Sequence, residues 1–157
     1  MKAMGIRNRI FKHISPAEKK RLNLELLPEL GNVQVYKDTF DLLLFVYTTL
    51  HDMRREYRYT LGEEMKRTLQ NLLTAIYEAR KTTPRSVMLI EALHWAYHAK
   101  VLYRTMDELG LLKDWQCAGY ITQLSSISKQ LTNWQKFEKK KETDLEKKHG
   151  DAPNDGT

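Results

Sequence analysis

Along most of this chain apolar side chains return every three or four residues, and that period commits the chain to helices packed side by side. It is plainest in residues 114–137, where Tyr120, Leu124, Ile127, Leu131 and Trp134 alternate steps of four and three. A seam of this kind faces neighbouring helices at the shallow crossing angle of an antiparallel bundle. Asp114 supplies a cap at its start.

Three more periodic stretches precede it. Residues 35–53 carry one apolar face of Phe40, Leu43, Tyr47 and Leu50 and a second of Leu42, Val46, Thr49 and Met53. The polar stripe is only Asp41, Thr48 and Asp52, and Phe45 falls inside it. A helix apolar over so much of its circumference needs more cover than three bundle partners give. The expectation is that Phe45, Leu42 and Val46 lie at a subunit interface, with the N-terminal arm folded over this helix as the alternative. Residues 61–81 put Leu61, Met65, Leu69, Leu72 and Ile76 inward and Glu63, Arg67, Gln70, Thr74 and Glu78 outward.

The fourth stretch, residues 84–109, follows the break at Thr82-Thr83-Pro84 and stops at Gly110, with Ile90, Leu93 and Tyr97 as its inward line. Continued, that line reaches Lys100 and Arg104. A long cation there must pair with a carboxylate or reach a cleft. Glu108, one turn beyond Arg104, offers the pairing, so the two readings stand side by side.

Ahead of the periodic stretches, Ile6, Ile10 and Ile14 alternate with Arg7, Arg9 and Lys12 in a short basic amphipathic segment. Ser15-Pro16-Ala17-Glu18 is a helix start signal, and Pro28 and Gly31 close the helix it opens. Three regions are expected: a basic arm at 1–33, a bundle at 34–137, and a polar, disordered tail at 138–157. The fold class is all-α, an antiparallel up-down four-helix bundle with a short helical N-terminal arm.

Between the first two bundle stretches lies a corner rich in cations and aromatics: Arg54, Arg55, Tyr57, Arg58 and Tyr59. Thr60 followed by Glu63 fits a capping box, starting the next helix near Leu61. The tyrosines either lid the bundle end beside solvated arginines, or stack on unpaired bases while the arginines hold phosphates.

The formal net charge is +6. Lys2, Arg7, Arg9, Lys12, Lys19, Lys20 and Arg21 against Glu18 alone account for the whole excess, so the body is close to neutral. A basic arm on a neutral body points either to phosphate or an acidic partner, or to a solvated, poorly ordered terminus. The single cysteine, Cys117, rules out a disulfide framework within the chain and fits a reducing, cytoplasmic setting. No apolar run reaches membrane-spanning length. Glu91 with His94, and His94 with His98, have ligand spacings but lack the remaining carboxylates of a bundle metal centre, so no metal or cofactor is expected. No nucleophile signal or Gly-rich phosphate loop indicates catalysis.

Taken together, Tyr57-Arg58-Tyr59-Thr60-Leu61-Gly62, Glu108-Leu109-Gly110-Leu111-Leu112 and residues 127–134, closing on Trp134, resemble the accessory variability determinant proteins of diversity-generating retroelements. The bundles encoded in ribosomal RNA intervening sequences share that superfamily. The likeness spans about residues 36–137; relatives often have a Pro where this chain has Met53-Arg54-Arg55 and a Gly where it has Asn133. The resemblance implies a non-enzymatic bundle that forms a five-fold homo-oligomer, binds RNA or DNA, and in retroelements partners a reverse transcriptase. On a neutral body the binding must come from local clusters: Arg7, Arg9, Lys12, Lys19, Lys20 and Arg21; Arg54, Arg55 and Arg58 with Tyr57 and Tyr59; and Lys100 with Arg104. The alternative is a protein-interaction scaffold that binds no nucleic acid.

Overall fold

A computed structural model of the chain describes residues 14–26 and 33–150, and all regular structure among them is helical. The chain divides into two units, Met1–Gln34 and Val35–Thr157. No helix among the described residues is long and apolar enough to cross a membrane.

In the first unit, α1 spans Pro16–Leu26 and buries none of its residues. Its start follows the sequence signal: the Glu18 amide donates to Ser15 Oγ at 3.2 Å, and Pro16 takes the first helical position, where no amide hydrogen is needed. Of the amphipathic segment before it, only Ile14 is among the described residues.

The second unit holds α2 (Gln34–Thr49) from Val35 onward, α3 (Glu63–Lys81), α4 (Arg85–Glu108) and α5 (Asp114–Gly150). α4 and α5 run antiparallel: Ser86 meets Glu142, Lys100 meets Ser128, and Asp107 meets Cys117. α2 and α5 are also antiparallel, with Asp38 beside Gln130 and Thr49 beside Tyr120. Leu42, Val46, Met65, Leu69, Leu72, Ile76, Leu89, Ile127 and Leu131 fill the space between them and are fully buried.

Gly110 ends α4 as expected, at φ +67, a conformation without penalty for glycine. The Leu111 amide donates back to the Met106 carbonyl and the Gly110 amide to that of Asp107, a double closure that satisfies the last carbonyls of the helix.

The inward face of α4 differs from the expected one. Ile90 and Tyr97 are 56% and 67% exposed, whereas Leu89, Ala92, Ala96, Ala99, Leu102 and Met106 are buried. Alanines let the α4 backbone approach its neighbours closely, so large residues of α3 and α5 fill the core there. The line drawn through Ile90 and Tyr97 therefore points outward.

Phe45, Leu42 and Val46 are not surface residues of the expected kind. Leu42 and Val46 have no exposed area in the single chain, so no second subunit reaches them. Phe45 is half-buried, edge-on to Tyr120 at 5.2 Å and to Trp115 at 6.1 Å. Gly119 makes room for it, since a Cβ there would stand 2.5 Å from the Phe45 ring. The odd aromatic of α2 is thus seated on α5.

α5 also runs further than its apolar seam indicates, to Gly150 rather than about Phe137. The added turns make contacts: Glu138 is buried, accepts from Trp134 Nε1 at 3.3 Å and faces Arg85 at 3.7 Å. Glu142 accepts from the Ser86 amide at 3.2 Å and from the Ser86 hydroxyl, capping α4 from outside its own sequence. Glu142→Ala should lower stability by about 1–2 kcal/mol. Thermal unfolding checks this, and Ser86→Ala added to it should cost little more.

Candidate nucleic-acid interface

The corner between α2 and α3 begins with a 3-10 turn, Leu50–Asp52, after which Met53 is extended. The chain re-enters a helix at Arg55–Tyr57, passes through a π-helical segment at Arg58–Gly62, and runs into α3 without a break. Thr60 is therefore inside a helix and not a cap. Its hydroxyl donates to the Glu56 carbonyl at 2.9 Å, because the helix already under way at Arg55 leaves no free amides at Leu61 for it to satisfy. The close winding depends on Gly62, where a Cβ would meet Leu50 Cδ2 at 2.8 Å.

Arg58 holds this corner together. Its guanidinium donates to the carbonyls of His51 and Met53, both at 3.0 Å, binding the end of the 3-10 turn to the start of the helix. Charge-assisted bonds to otherwise unpaired carbonyls are each worth about 1.5–3 kcal/mol. Arg58→Ala should therefore lower the thermal midpoint markedly, while Arg54→Ala and Arg55→Ala leave it unchanged; differential scanning calorimetry separates the two behaviours.

Arg54, Arg55 and Tyr59 remain exposed, and Tyr57 is half-buried. The Arg55 guanidinium lies over the Tyr59 ring, 5.9 Å from its centroid. Behind Tyr59 a cleft of about 550 Å³ opens between α3 and α4, lined by Glu63, Glu64, Arg67, Asn71, His94, Trp95 and His98. Helical spacing assembles it: Glu63, Arg67 and Asn71 share one face of α3, and His94, Trp95 and His98 one flank of α4.

Both carboxylates of the cleft have hydrogen-bond partners. Glu63 pairs with Lys66 at 2.6 Å and Glu64 with His98 at 3.2 Å. Among the described residues Arg67 has no ion-pair partner. The imidazoles of His94 and His98 stand edge-on to Trp95 at 5.4 and 6.1 Å. A free guanidinium, an amide and aromatic walls beside an exposed Tyr can hold a phosphate and a flat ring together.

Other candidate residues are placed elsewhere. Lys19, Lys20 and Arg21 are exposed on α1, with Arg21 paired to Glu25 at 3.0 Å; Arg7, Arg9 and Lys12 lie outside the described residues. Lys100 is half-buried and donates to Ser128 Oγ at 2.7 Å. Arg104 is exposed and pairs with Glu108 at 2.7 Å, and together with Lys100 it also lines a groove of about 460 Å³ along α4.

Among the described residues no group of three or more His, Cys, Asp or Glu could hold a metal ion. Burial, then a hydrogen bond to Asp107, raises the pKa of Cys117 above its ordinary value, which keeps the thiol protonated. Sequence reasoning passed over Arg67, Asn71 and Trp95. The signal for Arg67 and Asn71 was their spacing of four; for Trp95 it was its position between two histidines on one helical flank. Compared with known proteins, the chain matches no protein-family model and no curated protein.

Proposed function

We propose that this chain is a non-enzymatic, oligomeric nucleic-acid-binding protein of accessory type, an antiparallel up-down four-helix bundle preceded by a basic helical arm. In this reading it resembles the accessory variability determinant subunits, which act as five-fold assemblies beside a reverse transcriptase in the cytoplasm. The observation that carries the reading is the exposed Tyr59 with Arg55 stacked over it at the mouth of the cleft holding Arg67. Arg54, Arg55 and Arg67 supply charge for a phosphate backbone, and Tyr59 offers a face to an unpaired base. Such contacts favour single strands, whose bases are free to stack, and carry little base preference.

Tyr59→Ala is the direct test, because an exposed side chain can be removed without disturbing the core. Affinity for a single-stranded RNA in a filter-binding titration should fall by about 1–3 kcal/mol, the worth of one stacked base. Unchanged affinity removes the corner from the site. A scaffold that binds only polypeptide is the second reading, favoured by the exposed apolar residues along α4.

A further inference from the structure

Lys129, Lys136, Lys140 and Lys147 follow one another along α5 at steps of seven, four and seven. At about 100° per residue those steps keep all four within about 20° of one line, about 27 Å long. The line runs opposite the buried seam of Tyr120, Ile127, Leu131 and Glu138, so it crowns the outward face of a single uninterrupted helix. All four lysines are exposed, and none has an ion-pair partner among the described residues. We propose that this row holds the phosphate backbone of a nucleic-acid duplex.

The body is close to neutral, but on α5 its charges are sorted. No acid stands between Asp114 and Glu138; Glu138 is buried, and Glu142 is turned to Ser86. The acids nearest the row are Asp144, about 60° off it along the helix surface, and Asp38, which accepts from Gln130 beside the Lys129 end. Asn133 and Thr143 fill the gaps between the lysines, and the exposed Phe137 lies about 80° away with Lys141 over its ring. The line thus has no ring to stack on an unpaired base and no apolar side chain to anchor a polypeptide or enter a membrane. What it offers is ammonium groups to a regular polyanion. A duplex keeps its bases paired inside and presents one phosphate charge per about 1.7 Å of axis, and the flexible stems of lysine reach those phosphates without a fixed register. The corner, with its tyrosines, takes the unpaired strand and the row the paired one, so the partner is a nucleic acid that has both.

The inference rests on the function proposed above for the class of partner, but not on the corner. Each duplex phosphate neutralised adds about 0.9 to the logarithmic salt slope, so changing all four lysines of the row to Gln should flatten the duplex slope by about 3 to 4. Between about 50 and 200 mM salt the intact protein should then lose about a hundredfold more duplex affinity than the variant does. Single-strand affinity, set at the corner, should change far less. A second variant takes four exposed lysines off the row, Lys37, Lys113, Lys139 and Lys148, to Gln. It loses the same charge and should flatten the duplex slope by less than about half as much, with the circular dichroism spectrum of both variants unchanged. Equal flattening in the two variants overturns the row, and so does an unchanged slope in the first, even where single strands still bind. Row-dependent binding of poly-glutamate with no row-dependent duplex binding assigns the surface to an acidic polypeptide instead. Row-dependent duplex binding with single-strand affinity unmoved by Tyr59→Ala sinks the corner alone, and binding of neither nucleic acid sinks both.

Discussion

Tyr120→Ala should reduce the unfolding free energy by about 3–5 kcal/mol, the cost of removing a large aromatic from a packed core. Tyr120 is fully buried where α2, α4 and α5 meet. Phe45 stands edge-on to it, Tyr103 stacks on it at 5.6 Å, and its hydroxyl shares a 3.0 Å hydrogen bond with Thr49. Tyr120→Phe keeps the ring and removes only that bond, so it should cost about 1 kcal/mol. Urea unfolding followed by circular dichroism distinguishes the two. Similar losses in both variants would show that the hydroxyl, not the ring, carries the stability.

The same residue links stability to alkaline pH. Burial pushes the Tyr120 pKa up to about 12 from its ordinary 10.0, opposed by the Thr49 hydrogen bond. The folded state therefore favours the neutral phenol. Its contribution is complete below pH 10, where the unfolded phenol is neutral too, and is lost as pH rises towards 12. Tyr120→Phe should remove that part of the alkaline loss.

Changing Arg54, Arg55 and Arg67 together to Gln should abolish most single-strand binding at moderate salt. Each phosphate contact adds about 0.7 to the logarithmic salt slope on a single strand, so three lost contacts should flatten the slope by about 2. The guanidiniums of Arg54 and Arg55 are exposed, and Arg67 has no ion-pair partner among the described residues, so the melting temperature should not move. Arg58 is left out of this set because it binds the backbone of the corner. A slope that stays the same would move the phosphate contacts away from the corner.

Helix positions were legible in the sequence wherever large residues face the core at regular spacing. Met65, Leu69, Leu72 and Ile76 of α3 and Tyr120, Leu124, Ile127 and Leu131 of α5 are buried as their periods require. α4 was not legible in this way, because the middle of its buried face is alanine while the large Ile90 and Tyr97 face out. Hydrophobicity alone ranks Ile90 and Tyr97 above Ala92 and Ala96, although close helix approach needs the small residues. Phe45 misled for a related reason: the space that receives it is the missing Cβ of Gly119, seventy-four positions away in sequence. The extension of α5 was hidden because its stabilising partners, Ser86 and Arg85, belong to another helix. At the site, the cations and tyrosines of the corner could be read directly. The division of labour between Arg58 and its neighbours could not, since it depends on which guanidinium lies within reach of the His51 and Met53 carbonyls.

Nucleic-acid binding is decided by one titration. Fluorescently labelled single-stranded RNA and duplex DNA of equal length are each titrated with the intact protein at a low and a moderate salt concentration. Both should bind at low salt, the single strand more tightly, with a steep loss as salt rises. Failure to bind either nucleic acid at low salt would contradict it.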